Sequence, residues 1–310
     1  MNEYDVVVVG GGAAGLSAAL VLSRARREVA VVDAGAPRNA PAAHMHGFLS
    51  RDGLPPKDLL TIGRQEVQTY GGTLLDGYIT DAAVRSTAHG APAFDLRRSD
   101  ESQLRARRLL VATGLRDVIP DIEGASERWG RDFLHCPYCH GYEVRDQPLA
   151  VIGGSEEAVQ HALLIRQWSP DVVLLPHQDA LTPESERLLA ARGIPVLLGP
   201  VGRLVVESDH LAAVELTDGH QVPVKAVFVR PRFVPNDALL SLVGCERDGA
   251  GWVTTDRVGR TSVAGVWAAG NVVDPRAQVI TAAGQGSAAA IALNADLVEE
   301  DIVRAVAVRS

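Results

Sequence analysis

The chain opens with a continuous apolar run, Val6 to Val9, that ends in a cluster of glycines beginning at Gly10. An alanine- and leucine-rich segment follows as far as about Arg27, and a second apolar run then leads to Asp33. Continuous apolar runs are typical of parallel strands buried on both faces, and the segment between them has a helical composition. The pattern predicts a strand–turn–helix–strand unit at the start of the chain.

The same pattern recurs in the middle of the chain. A run from Leu149 to Ile152 leads into Gly153-Gly154-Ser155 and a helical segment, and the next predicted strand is Val172 to Leu175. Further strands are predicted at residues 93–98, 107–111, 226–229 and 265–269, and an alanine-rich helix from Gln278 to about Val298. Two such units predict an α/β fold with two doubly wound, Rossmann-like lobes.

The residues of the first turn fit a dinucleotide-binding site. In Gly10-x-Gly12-x-x-Gly15 the first glycine permits a tight turn, the second lets the backbone approach a pyrophosphate, and the third lets helix and strand pack closely. The free N–H groups of the helix N-terminus favour the anionic pyrophosphate. Asp33 stands near the spacing expected for an acid that accepts ribose hydroxyls. The alternative is that these glycines serve only to pack the helix against the strand. That alternative does not explain the position of Asp33.

Cys136 and Cys139 form a Cys-x-x-Cys pair in the middle of the chain. Beside a redox cofactor such a pair can carry two electrons as dithiol and disulfide. His135 and His140 flank the cysteines, but structural zinc sites draw their ligands from two separated pairs, so no metal site is predicted. The third cysteine, Cys245, stands alone in an apolar stretch and is predicted to be a buried, inert thiol.

Composition excludes several classes of protein. The 310 residues suggest about two domains, and 46% hydrophobic with 22% charged residues is ordinary for a globular protein. A net charge of −8 without a basic run argues against nucleic acid and anionic membrane as partners. The N-terminus has no basic region and no apolar run long enough for a signal peptide or a membrane span, so a cytoplasmic location is expected.

With these motifs assembled, the chain resembles the low-molecular-weight thioredoxin reductase family. The dinucleotide turn, Ala112-Thr113-Gly114, the cysteine pair, the Gly153 turn and Gly270-Asn271 appear in the order of that family. The resemblance implies a discontinuous FAD-binding domain of residues 1–116 and 247–310. Residues 117–246 would form an inserted NAD(P)-type domain that carries the cysteines. It also implies a homodimer.

FAD is the cofactor that the resemblance implies. Gln278 and Val279 would lie against the isoalloxazine. Asn271 replaces an aspartate usual in the family and would keep a hydrogen bond to the ribitol without its charge. The residues implied to bind FAD are Gly10, Gly12, Ala14, Gly15, Asp33, Ala112, Thr113, Gly114, Gly270, Asn271, Gln278 and Val279.

The inserted lobe departs from the family at three places. Ser155 replaces the second glycine of its nucleotide turn, where a side chain would crowd a pyrophosphate. The segment 175–180 carries none of the arginines that bind a 2′-phosphate, and Leu175-Pro176 stands where an NADH-type acid is expected. Arg230-Pro231-Arg232 replaces small residues on the nicotinamide path. Together these departures predict a degenerate nicotinamide site.

The residue after the second cysteine is His140, where the family has aspartate, and histidine can exchange a proton with a thiol near neutral pH. The pattern Cys-x-x-Cys-His-Gly-Tyr-Glu resembles the FAD-dependent dithiol oxidases of antibiotic and other natural-product biosynthesis, of gliotoxin and holomycin type. The implied function is oxidation of a small-molecule dithiol to an intramolecular disulfide at Cys136–Cys139. Molecular oxygen would be the terminal acceptor and hydrogen peroxide the product.

Three other interpretations remain open at this point. The chain could be a disulfide reductase with NADPH or another donor, a redox sensor that does not turn over, or a flavoprotein with idle cysteines. His44 and His46 fall in a loop expected to pass the flavin, where either could assist deprotonation or be solvated. Tyr138, between the cysteines, could line the entrance.

Overall fold

The computed structural model describes residues 2–86 and 90–309. Its strands are β1 Asn2–Val9, β2 Val29–Asp33, β3 Thr73–Asp76, β4 Ile79–Ser86, β5 Pro92–Arg98, β6 Gln103–Val111, β7 Leu115–Val118, β8 Phe133–Leu134, β9 Leu149–Ile152, β10 Val172–Leu175, β11 Val201–Glu207, β12 His210–Leu216, β13 Gln221–Pro223, β14 Ala226–Val229, β15 Arg232–Pro235 and β16 Val266–Ala268. Its helices are α1 Ala13–Arg24, α2 Pro56–Thr69, α3 Ala125–Arg128, α4 Pro137–His140, α5 Glu156–Ile165, α6 Pro183–Ala191, α7 Ala238–Leu242 and α8 Val279–Arg309.

The first lobe is built on a mixed sheet of order β3-β2-β1-β6-β5-β4, with β16 beside the end of β6. Strands β3, β2, β1, β6 and β16 run parallel, and β4 and β5 form an antiparallel extension. The second lobe has a parallel sheet of order β10-β9-β14-β8 and a separate antiparallel sheet, β11-β12-β13. The predicted α/β class with two Rossmann-like lobes is therefore confirmed.

The two lobes are joined where β7 pairs antiparallel with β15. Strand β7 spans the predicted domain boundary at 116/117, whereas β15 ends well before the predicted boundary at 246/247. Both boundaries stay predictions. The predicted first domain also includes residues 1, 87–89 and 310, which lie outside the described residues.

Helix α8 is longer than the sequence indicates, because it continues to Arg309 rather than ending near Val298. Ion pairs with a distant part of the chain hold this helix on both sides of Val298. Arg108, buried on β6, contacts Asp296 at 2.5 Å and Glu300 at 2.7 Å. The local sequence pattern does not indicate these ion pairs, because Arg108 lies far from Asp296 and Glu300 in the chain. Of the described helices, α8 included, none is both long and apolar enough to cross a membrane.

Candidate active site at the junction of the lobes

Cys136 and Cys139 form a disulfide at the end of β8, with their Cα atoms 5.3 Å apart. Pro137 starts the short helix α4, and the carbonyl of Cys136 accepts hydrogen bonds from the backbone N–H groups of Cys139 and His140. One turn of helix thus brings the two sulfurs together and places His140 directly after them. The ring of Tyr138 lies edge-on to Trp168 with 5.3 Å between centroids and is 62% exposed, so it borders the opening of the site.

A single cavity of about 990 Å³ extends from the glycine turn of the first lobe to this disulfide. His44 and His46 line it as well. Gly15 is absent from its wall and packs behind it, where an added Cβ would lie 1.8 Å from the carbonyl oxygen of Gly10. The other residues named from the sequence that line the cavity are Gly10, Gly12, Ala14, Asp33, Ala112, Thr113, Gly114, Cys136, Cys139, His140, Gly270, Asn271, Gln278 and Val279.

The glycine turn has the features that a dinucleotide requires. Gly12 is the N-cap of α1, no side chain caps this helix, and an added Cβ there would meet nothing within 4 Å. Gly10 adopts φ +106°, and an added Cβ would lie 2.3 Å from the carbonyl oxygen of Ala112. Uncapped N–H groups that open into a cavity suit a pyrophosphate. The residues present therefore fit FAD.

Asp33 ends β2 beside this turn. Its Oδ1 accepts a hydrogen bond of 3.0 Å from the backbone N–H of Gly11, and its Oδ2 lies 3.2 Å from Nη1 of Arg64. The carboxylate is thereby fixed at the edge of the cavity, where an adenosine ribose is expected.

The side-chain amide of Asn271 mainly forms hydrogen bonds with the backbone of the following residues. Its Nδ2 donates to the carbonyls of Asp274 and Ala277, each at 2.9 Å. Its Oδ1 accepts from Arg38 at 3.4 Å. Both amide hydrogens are used within the protein, so only the oxygen is left for a cofactor. The bond from Asn271 to the ribitol stays a prediction.

Arg38 was not identified from the sequence, because the loop around it has no pattern. Its Nε and Nη2 form a bidentate pair with Asp117 on β7, at 2.8 and 2.7 Å. Its guanidinium also lies over the ring of Phe233 on β15, 5.1 Å from the centroid. Phe233 in turn contacts His135 edge-on at 5.2 Å. Arg38 therefore ties the first lobe to both crossover strands and to the residue before the disulfide.

Burial holds the histidines near the disulfide in their neutral form. It lowers the pKa of His135 to about 4 and that of His161, on α5, to about 3. The pKa of His140 is also lowered, mainly by burial; the charge of Glu143 opposes this shift and that of His46 adds to it. A neutral His140 beside the disulfide can accept a proton from a thiol.

The second lobe corrects one expectation drawn from the sequence. The expected absence of a nucleotide-type acid after β10 is wrong, because Asp179 reaches that place from the following loop. Its Oδ2 accepts a 2.9 Å hydrogen bond from the N–H of Gly154, as Asp33 does from Gly11. The loop after β10 turns so that Asp179 reaches Gly154, and the residues that end the strand do not indicate this turn. Ser155 caps α5, its Oγ accepting from the N–H of Ala158 at 3.3 Å.

The comparisons with known proteins agree over nearly the whole chain. The model of the family described as "Pyridine nucleotide-disulphide oxidoreductase" matches residues 4–286. Thioredoxin reductase sirT of Leptosphaeria maculans is 33% identical over 94% of this chain and 93% of its own. Thioredoxin reductase tcpT of Claviceps purpurea is 30% identical over 87% of each chain. The crystal structure of HlmI superposes with a TM-score of 0.96 at 58% identity, covering 98% of this chain and 95% of that one.

Proposed function

Because this chain belongs to the pyridine nucleotide-disulphide oxidoreductase family, we propose that it oxidises a small-molecule dithiol to an intramolecular disulfide and passes the electrons to molecular oxygen. The protein is an FAD-binding, thioredoxin reductase-like oxidoreductase. The observation that carries the proposal is that the Cys136–Cys139 disulfide lines the same cavity as the dinucleotide turn. Ser155 on the nucleotide turn of the second lobe favours an oxidase over an NADPH-dependent reductase, because its side chain would crowd a pyrophosphate there.

The reaction begins with removal of a proton from the substrate. His140, neutral because burial lowers its pKa, accepts the proton of one substrate thiol. The thiolate attacks the sulfur of Cys136, which we assign as the attacked cysteine by the family resemblance, and Cys139 leaves as a thiolate. The second substrate thiol, once deprotonated, attacks the mixed disulfide and releases the product. One substrate disulfide forms and the protein disulfide becomes a dithiol.

Regeneration of Cys136–Cys139 requires a two-electron acceptor. FAD, when bound, would supply that two-electron chemistry, with molecular oxygen as the terminal acceptor and hydrogen peroxide as the product. The chain would hold it through the turn Gly10–Gly15, the carboxylate of Asp33, the segment 112–114 and the start of α8. Among these groups the uncapped N-terminus of α1 would face the pyrophosphate, and Gln278 lines the same cavity as the disulfide.

The remaining partner assignments belong to this proposal. A homodimer is supported by the family resemblance and by exposed apolar side chains on α8, namely Ile291, Val298, Ile302 and Val303. The cytoplasmic location stays a prediction. Because Arg38 pairs with Asp117 on β7 and lies over the ring of Phe233 on β15, we also propose that the lobes keep one dominant orientation.

Oxygen consumption with a simple dithiol tests the proposal. We expect the FAD-loaded protein to consume oxygen and form peroxide with dithiothreitol over many turnovers. Cys136→Ser and Cys139→Ser abolish turnover while they retain bound FAD, whereas Cys245→Ser retains activity because that thiol is buried away from the cavity. Full activity in Cys136→Ser, or a single turnover in the unsubstituted enzyme, contradicts the proposal.

Asp179 favours one second candidate function. A carboxylate bonded to Gly154 is arranged as in nucleotide-binding lobes that accept ribose hydroxyls, so the alternative is a disulfide reductase that uses NADH. No arginine stands in segment 175–180 to bind a 2′-phosphate, which makes NADPH the less suitable donor. Fast reduction of the bound flavin by NADH would support this alternative.

A further inference from the structure

Polar side chains lead away from the disulfide toward solvent through a loop of the first lobe. Glu143 follows His140 at the spacing of one helical turn, and its Oε1 lies 3.4 Å from Nε2 of His46. The other ring nitrogen of His46, Nδ1, lies 3.3 Å from Oδ2 of Asp52. The side chain of Asp52 is 67% exposed, whereas that of His46 is 23% exposed. With His140, which directly follows Cys139, as its first member, the route ends in water.

Hydrogen bonds within its loop hold the imidazole of His46 in this position. Met45 is buried, and its backbone forms two hydrogen bonds across the loop, with Leu54 at 3.0 Å and Gly53 at 2.9 Å. The Oδ1 of Asp52 accepts a 2.8 Å bond from the N–H of Gly47, so that Oδ2 faces His46. The hydrogen bond from Gly47 is the largest cause that lowers the pKa of Asp52, and that from His46 adds to it. Asp52 is thus kept as a carboxylate.

The proposed reaction requires a route by which protons leave His140. Each dithiol gives up two thiol protons as its disulfide forms, and a half-buried His140 must release one proton before it can accept the next. An imidazole with a carboxylate at each nitrogen can accept a proton at one nitrogen and release one from the other.

We propose that Glu143 and His46 relay the proton that His140 removes from the substrate thiol to solvent beside Asp52. The proposal deepens the proposed function and rests on it. The S–H bond of the substrate breaks and an N–H bond forms on His140. That proton passes to the carboxylate of Glu143 and then to Nε2 of His46, while the proton on Nδ1 leaves to Asp52 or water. No electron moves in these steps.

Other ionisable groups around His140 do not offer a second route. Among the described residues, Glu143 and His46 are the groups whose charges act on His140, and His140 in turn acts on His135. His135 faces Phe233 and is kept neutral, with a pKa of about 4, so it accepts protons poorly.

Chemical rescue tests the relay. In dilute buffer we expect His46→Ala and Glu143→Gln to lower dithiol turnover at least about 10-fold, since proton transfer becomes limiting. Added imidazole restores the rate of His46→Ala, because a free base replaces the missing side chain. Glu207→Gln, which removes an exposed carboxylate from the distant strand β11, serves as the control and keeps its rate. A rate loss that imidazole does not restore, or no loss in either variant, overturns the relay.

A titration of His140 in the FAD-loaded protein separates this inference from the proposed function, because it requires no turnover. With labelled histidine and NMR detection, Glu143→Gln should lower the pKa of His140 further, since an attractive charge is removed. His46→Ala should move it upward. If the unsubstituted enzyme does not oxidise dithiols, the proposed function fails, while this titration still reports the influence of Glu143 and His46 on His140. An unchanged titration in both variants overturns the relay.

Discussion

Replacing Arg38 by methionine should destabilise the protein far more than loss of an ordinary surface ion pair. Arg38→Met leaves the side chain of Asp117, which is 6% exposed, without its bidentate partner. Removing one member of a buried ion pair costs about 3–5 kcal/mol, because an uncompensated charge stays buried. The arginine itself is 21% exposed, so we expect the lower end of this range, about 3 kcal/mol.

Urea unfolding followed by circular dichroism and by flavin fluorescence measures this effect. The matched control is Arg187→Met, which breaks an ion pair whose members are 68% and 62% exposed and should cost less than about 1 kcal/mol. The double variant Arg38→Met/Asp117→Leu removes both charges and should recover most of the lost stability, because no charge remains buried. A single variant within about 1 kcal/mol of the unsubstituted protein, or a double variant no more stable than the single, would refute the reasoning.

Further predictions concern the site. His140→Asn should lower kcat/KM about 100-fold, because the base that deprotonates the substrate thiol is lost. Initial rates of oxygen consumption measure this decrease. A loss below about 3-fold would contradict the role of His140 as the base. In the unsubstituted enzyme the acid limb of kcat/KM should lie below pH 6.5, because burial lowers the pKa of His140 from that ordinary value and the imidazole is protonated only as pH falls through the lowered pKa. A pH profile with its acid limb above this value speaks against the assignment. Gly10→Ala should yield protein with little bound FAD, read from the flavin absorbance, since φ +106° and a Cβ 2.3 Å from Ala112 force the turn to move. Gly249→Ala, an open position, is its control, and equal FAD content in both would refute this account of the turn.

Local sequence patterns predict much of the fold. The first strand–turn–helix–strand unit and the parallel strands β9, β10 and β14 follow from apolar runs and glycines that act over a few residues. The bounds of β9, Leu149–Ile152, agree with the prediction residue for residue. The continuation of α8 past Val298 does not follow, because ion pairs of Glu300 with β6 stabilise the helix there.

The residues that the sequence did not identify lie in loops. Arg38 and Asp179 gain their partners only when chain segments far apart in sequence meet, so no spacing indicates them. Glu143 stands in the pattern Cys-x-x-Cys-His-Gly-Tyr-Glu, but that pattern does not indicate its contact with His46. The cysteine pair and His140 were identified because they are adjacent in the chain, and they line the cavity as expected. Their roles stay predictions until activity is measured.

The most direct test of the central claim is an anaerobic flavin spectrum of the purified protein mixed in turn with dithiothreitol, NADH and NADPH. The proposed function predicts that the dithiol bleaches the flavin, that neither nicotinamide does so at a comparable rate, and that air restores the colour with release of peroxide. Rapid bleaching by NADH or NADPH, with the dithiol inert, would contradict the oxidase and establish a reductase.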